Sequence, residues 1–544
     1  MNSQSVLASV YIFALVLSRS IGQQWVRDIG FNDETSYLYS GVRLLQDGPV
    51  SAGYSPLYQL WYWLQSLLVT DRVRLYYFNW SALLFLNLLI FWRLCERLQV
   101  PRLLSVVLLA VLSTLSFFET WPFVTLLSTA GVGVAILLAL RGRSWIHSLG
   151  IVSGAFGALA FVRPEFTISF LLSLALLAAG MWYGDPSKPR RAAVVALALA
   201  PFLVLFLTFG NPLAGSRSFI AFGQHYSLNV AHAESLRIDP WKNWVDIVRR
   251  DFAGSDSVSA ALKANPKAFA WHLWANVGKM HSAYHLLTPS FAAPRLFRGA
   301  FTLCFAAAIV IGLLAGLNRM HAQRSPDFLR KYRPQLALLV VFSLVAVPSL
   351  ISTLLIYPRA HYLLAPGFVV FAFSAWGLGT MVRRKWVDSA DHRKSALAAG
   401  ACCLLLLPGN SGLKPWYLQA VIRANEPGRL ENLATVRFLQ ELSIVPEHGK
   451  TLTLLEPNFS RAVYAGWDFE RIIQTECRPF YDCIQAKRPD IIVNDARLEH
   501  YYSTPADTGY KTFLAHPNAL GYSRVDVPKQ PVQFFVRREI LRTK

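Results

Sequence analysis

The chain has 544 residues, of which 54% are hydrophobic and 16% charged, with a mean hydropathy of +0.35. Soluble domains carry about a quarter charged residues, so this composition excludes an ordinary soluble enzyme and points to a polytopic membrane protein. The formal net charge of +21 would suggest nucleic acid for a soluble chain, but the basic residues fall in short clusters between apolar runs, which is a topology signal, and no nucleic-acid partner is expected.

A membrane span needs roughly 20 predominantly apolar residues. About eleven stretches fit: 6–21, 76–94, 103–118, 123–140, 146–162, 165–183, 192–209, 297–317, 336–356, 362–381 and 395–408. The first is expected to be a retained span, because its leading residues Met1–Ser5 carry no Lys or Arg and no Ala-x-Ala cleavage site follows. Basic clusters at Arg93/Arg97/Arg102, Arg141/Arg143, Lys188/Arg190/Arg191, Arg319–Arg333 and Arg383–Lys394 mark cytoplasmic turns. The N-terminus is therefore expected inside, and segments 22–75, 210–296 and 409–544 outside.

Within the first outer segment, Pro56–Leu68 is apolar and aromatic but short, which suits an interfacial helix. Trp241, Trp244, Trp271 and Trp274 recur at helical spacing in 210–296, the pattern of amphipathic helices on a bilayer surface. Beyond about residue 409 the composition becomes that of a soluble domain. A helix is expected over Thr435–Leu442 and strands over Thr451–Leu455, Asp490–Val493 and Val532–Val536. The expected architecture is an α-helical polytopic membrane protein (1–408) with a small extracytoplasmic α/β domain (409–544). Cys477 and Cys483 lie in that polar region and are candidates for a disulfide. There is no Rossmann or P-loop glycine pattern, so no nucleotide cofactor is expected.

Asp33 and Glu34 stand out, because adjacent carboxylates beside a span are costly unless they face water, a partner or a ligand. Asp33 and Tyr37 are four apart and share a helical face, with Glu34 about a quarter-turn away. A carboxylate there can take the proton of an attacking hydroxyl, and its neighbour can orient an acceptor or bind a metal. Capping a helix is an equally good use of the same position. Glu119, at the end of a span, emerges on the same face and can be a site acid or a solvated one. Arg163 and Glu165 flank a proline and can either stabilise the turn or place Arg163 against an anion. Arg359 is a basic residue on an outer turn, against the charge bias, and suits a lipid phosphate or a headgroup. His361 and Tyr362 can assist it. His225, in the long outer loop, can donate a hydrogen bond, titrate or do neither.

These residues resemble the GT-C superfamily of polytopic glycosyltransferases. Asp33-Glu34 with Tyr37 resembles the acid-rich first-loop motif of protein O-mannosyltransferases and lipid A aminoarabinose transferases. Phe118-Glu119-Thr120 followed by Arg163-Pro164-Glu165 resembles the Leu-Glu-Thr and Arg-Pro-Glu-Gly segments of bacterial members akin to arabinofuranosyltransferases, with Phe166 in place of the glycine. Residues Pro358–Pro366 resemble a late Pro-Arg-Tyr-Leu-Leu-Pro segment, with Ala360-His361 inserted. The resemblance implies transfer of a sugar from a polyprenyl-phosphate donor to an extracytoplasmic glycan, lipid or protein, with the first-loop Asp as base, inversion at the anomeric carbon and a basic residue on the departing phosphate. It leaves a divalent metal open, held by Asp33 and Glu34 if present. The rival readings are a transporter or flippase of lipid-linked glycans, which mid-span charges and internal repeats would favour, and a noncatalytic assembly subunit.

Overall fold

The computed structural model describes residues 24, 27–31, 33–115, 122–142, 144–183, 188–214, 217–236, 238–241, 243–281, 295–321, 332–386, 430–442, 451–457, 460–466, 469–472, 474, 477, 479–502 and 508–541. The expected spans 6–21 and 395–408 lie outside the described residues. In chain order the helices are α1 (Asp33–Val42), α2 (Pro56–Ser66), α3 (Arg72–Arg97), α4 (Arg102–Thr114), α5 (Val124–Ala139), α6 (Trp145–Leu159), α7 (Phe166–Tyr183), α8 (Lys188–Phe209), α9 (Arg217–Ala233), α10 (Trp244–Phe252), α11 (Val258–Ala264), α12 (Pro266–Lys279), α13 (Arg295–His321), α14 (Arg333–Leu355), α15 (Leu364–Trp386) and α16 (Glu431–Glu441). After them, β1 (Leu452–Leu455), α17 (Ser460–Ala465), β2 (Phe469–Ile472), α18 (Phe480–Lys487), β3 (Ile491–Asn494), α19 (Ala496–Tyr502), α20 (Thr508–Ala515), β4 (Tyr522–Asp526) and β5 (Gln533–Arg537) complete the chain.

Among the described residues, five helical segments are long and apolar enough to cross a membrane: Arg72–Arg97, Arg191–Phe209, Thr302–His321, Arg333–Leu355 and Ala360–Val382. Four shorter apolar helices accompany them, within α4, α5, α6 and α7. The 11 residues of α2 are too few to span. The chain divides into two compact units. One is drawn from Met1–Ile21, Pro49–Gln59 and Ala82–Leu413, the other from Gly22–Gly48, Leu60–Ser81 and Lys414–Lys544. Much of the first outer segment thus groups with the C-terminal part of the chain, where the sequence places the boundary at 408.

In the first unit, small residues let helices approach closely, as they do where no hydrophobic force separates helix from lipid. A Cβ at Gly377 of α15 would collide with the carbonyl of Gly312 on α13, and one at Gly154 of α6 would collide with that of Leu197 on α8. Polar side chains tie other pairs: Ser169 Oγ donates to Leu344 O at 2.8 Å between α7 and α14, and Asn87 Nδ2 to Leu126 O at 3.0 Å between α3 and α5.

The second unit carries a five-stranded sheet of order β2-β1-β3-β5-β4, with β2, β1 and β3 parallel and β5 antiparallel to both β3 and β4. Side chains alternate across a strand, so Ile492 joins Leu455, Phe480, Tyr502 and Phe535 in one core, while Ile491 and Val493 join Leu454, Phe534 and Val536 in the other. Both faces are therefore covered. Cys477 and Cys483 form a disulfide in the first of these cores. Asp28, from the segment before α1, closes the first turn of α16: its carboxylate accepts from Asn432 N at 2.9 Å and Leu433 N at 2.8 Å. Burial raises the pKa of Asp28, and these backbone bonds pull it back down.

Candidate functional site

The two acids of α1 sit in opposite environments. Glu34 is fully buried, and its Oε1 accepts from Tyr62 Oη at 2.5 Å. Asn79 Nδ2 donates to the same Tyr62 oxygen at 2.9 Å and lies 3.4 Å from Glu34 Oε1. Asn79 in turn accepts from Trp61 Nε1 at 2.7 Å. The buried face of α1 runs through Glu34, Thr35, Tyr37, Leu38 and Gly41. Asp33 is exposed, and among the described residues it makes no hydrogen bond or ion pair. Tyr37 is only 6% exposed, so the face expected to be common to Asp33 and Tyr37 is divided: the ring packs inward while the carboxylate, in the first turn, points to solvent.

Such an arrangement presents one carboxylate and uses the other as an anchor. It does not fit a divalent cation held between Asp33 and Glu34, because one side chain is exposed and the other sealed against Tyr62 and Asn79. Among the described residues, no group of three or more His, Cys, Asp or Glu side chains is placed to hold a metal ion.

In the first unit, Arg359, His225, Tyr357 and Trp241 come together. The Arg359 guanidinium lies 5.7 Å from the Trp241 ring centre. The His225 ring meets Trp241 edge-on at 5.1 Å and Tyr357 at 5.4 Å. Among the described residues Arg359 has no carboxylate partner, and the Trp241 ring lies against its planar guanidinium. His225 Nδ1 donates to Ala221 O at 2.7 Å, which leaves Nε2 as the acceptor. Burial, and then the neighbouring Arg359, push His225 down to about 4, so the ring is neutral at pH 7 and does not titrate near it.

The turn that carries Arg359 is held from below by a buried polar chain. Asn276 Nδ2 donates to Leu354 O at 2.7 Å and His272 Nε2 to Leu355 O at 3.1 Å. Asn229 Nδ2 donates to His272 Nδ1 and Asn276 Oδ1, each at 2.9 Å, and Lys279 Nζ donates to Asn229. Lys279 also lies 5.1 Å from the Tyr357 ring centre, and burial lowers its pKa. These bonds satisfy the carbonyls that α14 leaves open at its C-terminus.

Arg163 and Glu165 do pair, Nε to Oε1 at 2.5 Å, and Arg163 stacks on the Tyr362 ring at 5.1 Å. The Arg163 charge is therefore already met within the turn. His361 packs on Tyr362 at 4.3 Å, and both lie in the turn after Arg359. Glu119 lies outside the described residues. Tyr62, Asn79, Lys279, Asn229 and His272 escape a reading of the sequence by motif. The one available signal is Asn79, a polar residue inside an expected span.

No family model and no curated protein matches the sequence. Among solved structures, the chain is similar to ArnT from Cupriavidus metallidurans in the apo state, at 12% identity and a TM-score of 0.41 over 100% of both chains. It is also similar to an oligosaccharyltransferase from Archaeoglobus fulgidus, at 12% identity and a TM-score of 0.42 over 98% of this chain and 74% of that one. At such identity and overlap neither match carries an argument about this chain, and its function is argued from its own residues.

Proposed function

We propose that this protein is a membrane-embedded glycosyltransferase that moves a sugar from a polyprenyl-phosphate-linked donor to a glycan, lipid or protein acceptor outside the cytoplasm. Asp33 is the general base. The observation that carries the reading is the contrast within the acidic pair: Glu34 is buried on Tyr62 and Asn79, and Asp33 beside it is exposed and unpaired among the described residues. A base must be ionised and within reach of the proton it takes, and an anchor on the next residue keeps it in register.

In the reaction, Asp33 takes the proton of an acceptor hydroxyl as that oxygen attacks the anomeric carbon. The bond from that carbon to the phosphate oxygen breaks, and the polyprenyl phosphate leaves with the electron pair. A single displacement inverts the anomeric centre. Arg359 is the candidate for binding the donor's phosphate, with His225, His361 and Tyr362 as further candidates in the first unit. Arg163 is a weaker choice for the phosphate because Glu165 already neutralises it. Residues 1–408 form the membrane catalytic part and 409–544 the part that recognises the acceptor, with the N-terminus cytoplasmic in a bacterial inner membrane.

The test is transfer from a panel of radiolabelled polyprenyl-phosphoryl sugars by purified wild type and Asp33→Asn. Transfer should fall by about 10²-fold or more in the variant while donor binding persists. Equal rates would remove Asp33 from the chemistry. No transfer from any donor would overturn the transferase reading, and donor translocation in proteoliposomes would then distinguish a flippase from an assembly subunit.

A further inference from the structure

A buried cluster of one arginine and two carboxyl groups in the second unit has no part in the proposed reaction. Arg461, 2% exposed, donates from Nη2 to Asp495 Oδ2 at 2.9 Å, and its Nη1 lies 3.7 Å from Glu456 Oε2. Glu456 directly follows β1 and Asp495 directly follows β3. These strands are parallel neighbours, so both carboxylates converge on one guanidinium at the strands' carboxyl ends. Apolar replacements of such a cluster are often as stable or more so, which makes stability alone a poor reason for its presence.

Arg461 belongs to α17, and the same short helix meets the segment bearing the acids. Thr35 Oγ1 donates to Ser460 Oγ at 3.1 Å and lies 3.5 Å from the Tyr464 hydroxyl. The Tyr464 hydroxyl donates to Gly30 O at 3.4 Å, and its ring stacks on Phe31 at 6.0 Å. The Arg461 guanidinium covers the other part of this contact, 5.2 Å from the Phe31 ring centre. Arg72 holds the far end of α17 by donating to Val463 O at 3.0 Å. Each of these contacts of α17 with the acidic segment falls within three residues of Asp33.

We propose that Ser460, Arg461 and Tyr464 are positioning residues for the Asp33 carboxylate, with the Glu456–Arg461–Asp495 cluster holding α17 where Thr35 and Phe31 need it. This inference rests on the reading of Asp33 as base. Through it, the C-terminal part of the chain sets the reach of a base whose proton transfer tolerates little displacement.

The test is initial-rate kinetics with mannosyl, glucosyl and arabinosyl polyprenyl phosphates, using host membranes as acceptor, for wild type, Ser460→Ala, Tyr464→Phe, Arg461→Met and Arg461→Lys. The expected result is a fall in kcat of about tenfold or more in Ser460→Ala and Arg461→Met, with donor KM within about twofold of wild type, and partial recovery in Arg461→Lys. Should Arg461→Met fail to fold, Ser460→Ala and Tyr464→Phe carry the test, because they leave the ion cluster intact. Unchanged kcat in both would overturn the inference, as would a loss confined to donor KM. Silence of the wild type with every donor would instead overturn the transferase reading, before any variant is compared.

Discussion

The acidic segment of the second unit and the basic cluster of the first solve the same problem in different ways. Each must keep a charge available near apolar surroundings. In the acidic segment one carboxylate, Glu34, is given up to Tyr62 and Asn79, and its neighbour Asp33 stays exposed. In the basic cluster the charge itself is held by ring faces, Arg359 against Trp241 and Lys279 against Tyr357, while the anchoring is done by neutral groups on the helices beneath. A carboxylate is small and is fixed through its neighbour. A guanidinium is broad and is fixed through its own plane.

Beyond the loss expected for Asp33→Asn, the largest effect should come from breaking the basic side. Arg359→Ala should weaken binding of a polyprenyl phosphate by about tenfold to a hundredfold, the range of a charge-assisted bond of about 1.5–3 kcal/mol. Arg359→Lys should recover only part of it, since an ammonium keeps the charge but not the fork. Titration calorimetry in detergent reads both. Equal affinity in Arg359→Ala would mean that the cation faces headgroups and not a bound phosphate.

A smaller effect is expected on the acidic side. Tyr62→Phe removes the hydroxyl that meets Glu34 Oε1 and leaves a buried carboxylate short of a donor, at a cost of about 1–3 kcal/mol in stability. The melting temperature should fall, and transfer should fall less than in Asp33→Asn. A Tyr62→Phe protein as inactive as Asp33→Asn, yet fully stable, would make Glu34 the reacting acid and reverse the two roles.

What the sequence disclosed follows from the range of the interactions involved. The apolar runs, the short aromatic helix α2 and the strands β1, β3 and β5 are patterns of a few residues, and the structure places these strands within a residue or two of expectation. The adjacent acids stand out in the sequence as charge following an apolar run. Which of them is anchored depends on Tyr62 and Asn79, 28 and 45 residues further on, and no local pattern carries that. His225 is visible as a histidine, but its neutral state is set by burial and by Arg359 from a distant turn, against the opposing pull of its bond to Ala221 O. Arg461 reads as an ordinary basic residue of a soluble domain. Only the meeting of two parallel strand ends buries it between Glu456 and Asp495.

That burial gives the most specific prediction. Glu456 is fully buried, and burial first of all raises its pKa from 4.5 to about 8, with Asp495 adding to the rise and Arg461 and Arg471 opposing it. A carboxyl with a higher pKa folded than unfolded binds more protons in the folded state across that window. Its contribution to stability is therefore full below about pH 4.5, declines as pH rises, and levels off above about pH 8. Glu456→Gln keeps the shape and removes the titration. At pH 5 the two proteins should melt close together, and by pH 9 the wild type should fall several degrees behind, since about 1 kcal/mol shifts a domain of this kind by roughly 2–8 °C. The opposite trend, with wild type gaining on Glu456→Gln as pH rises, would mean that Arg461 and Arg471 outweigh desolvation. Glu456 would then be a charged partner in the cluster, and its removal would loosen α17 along with it.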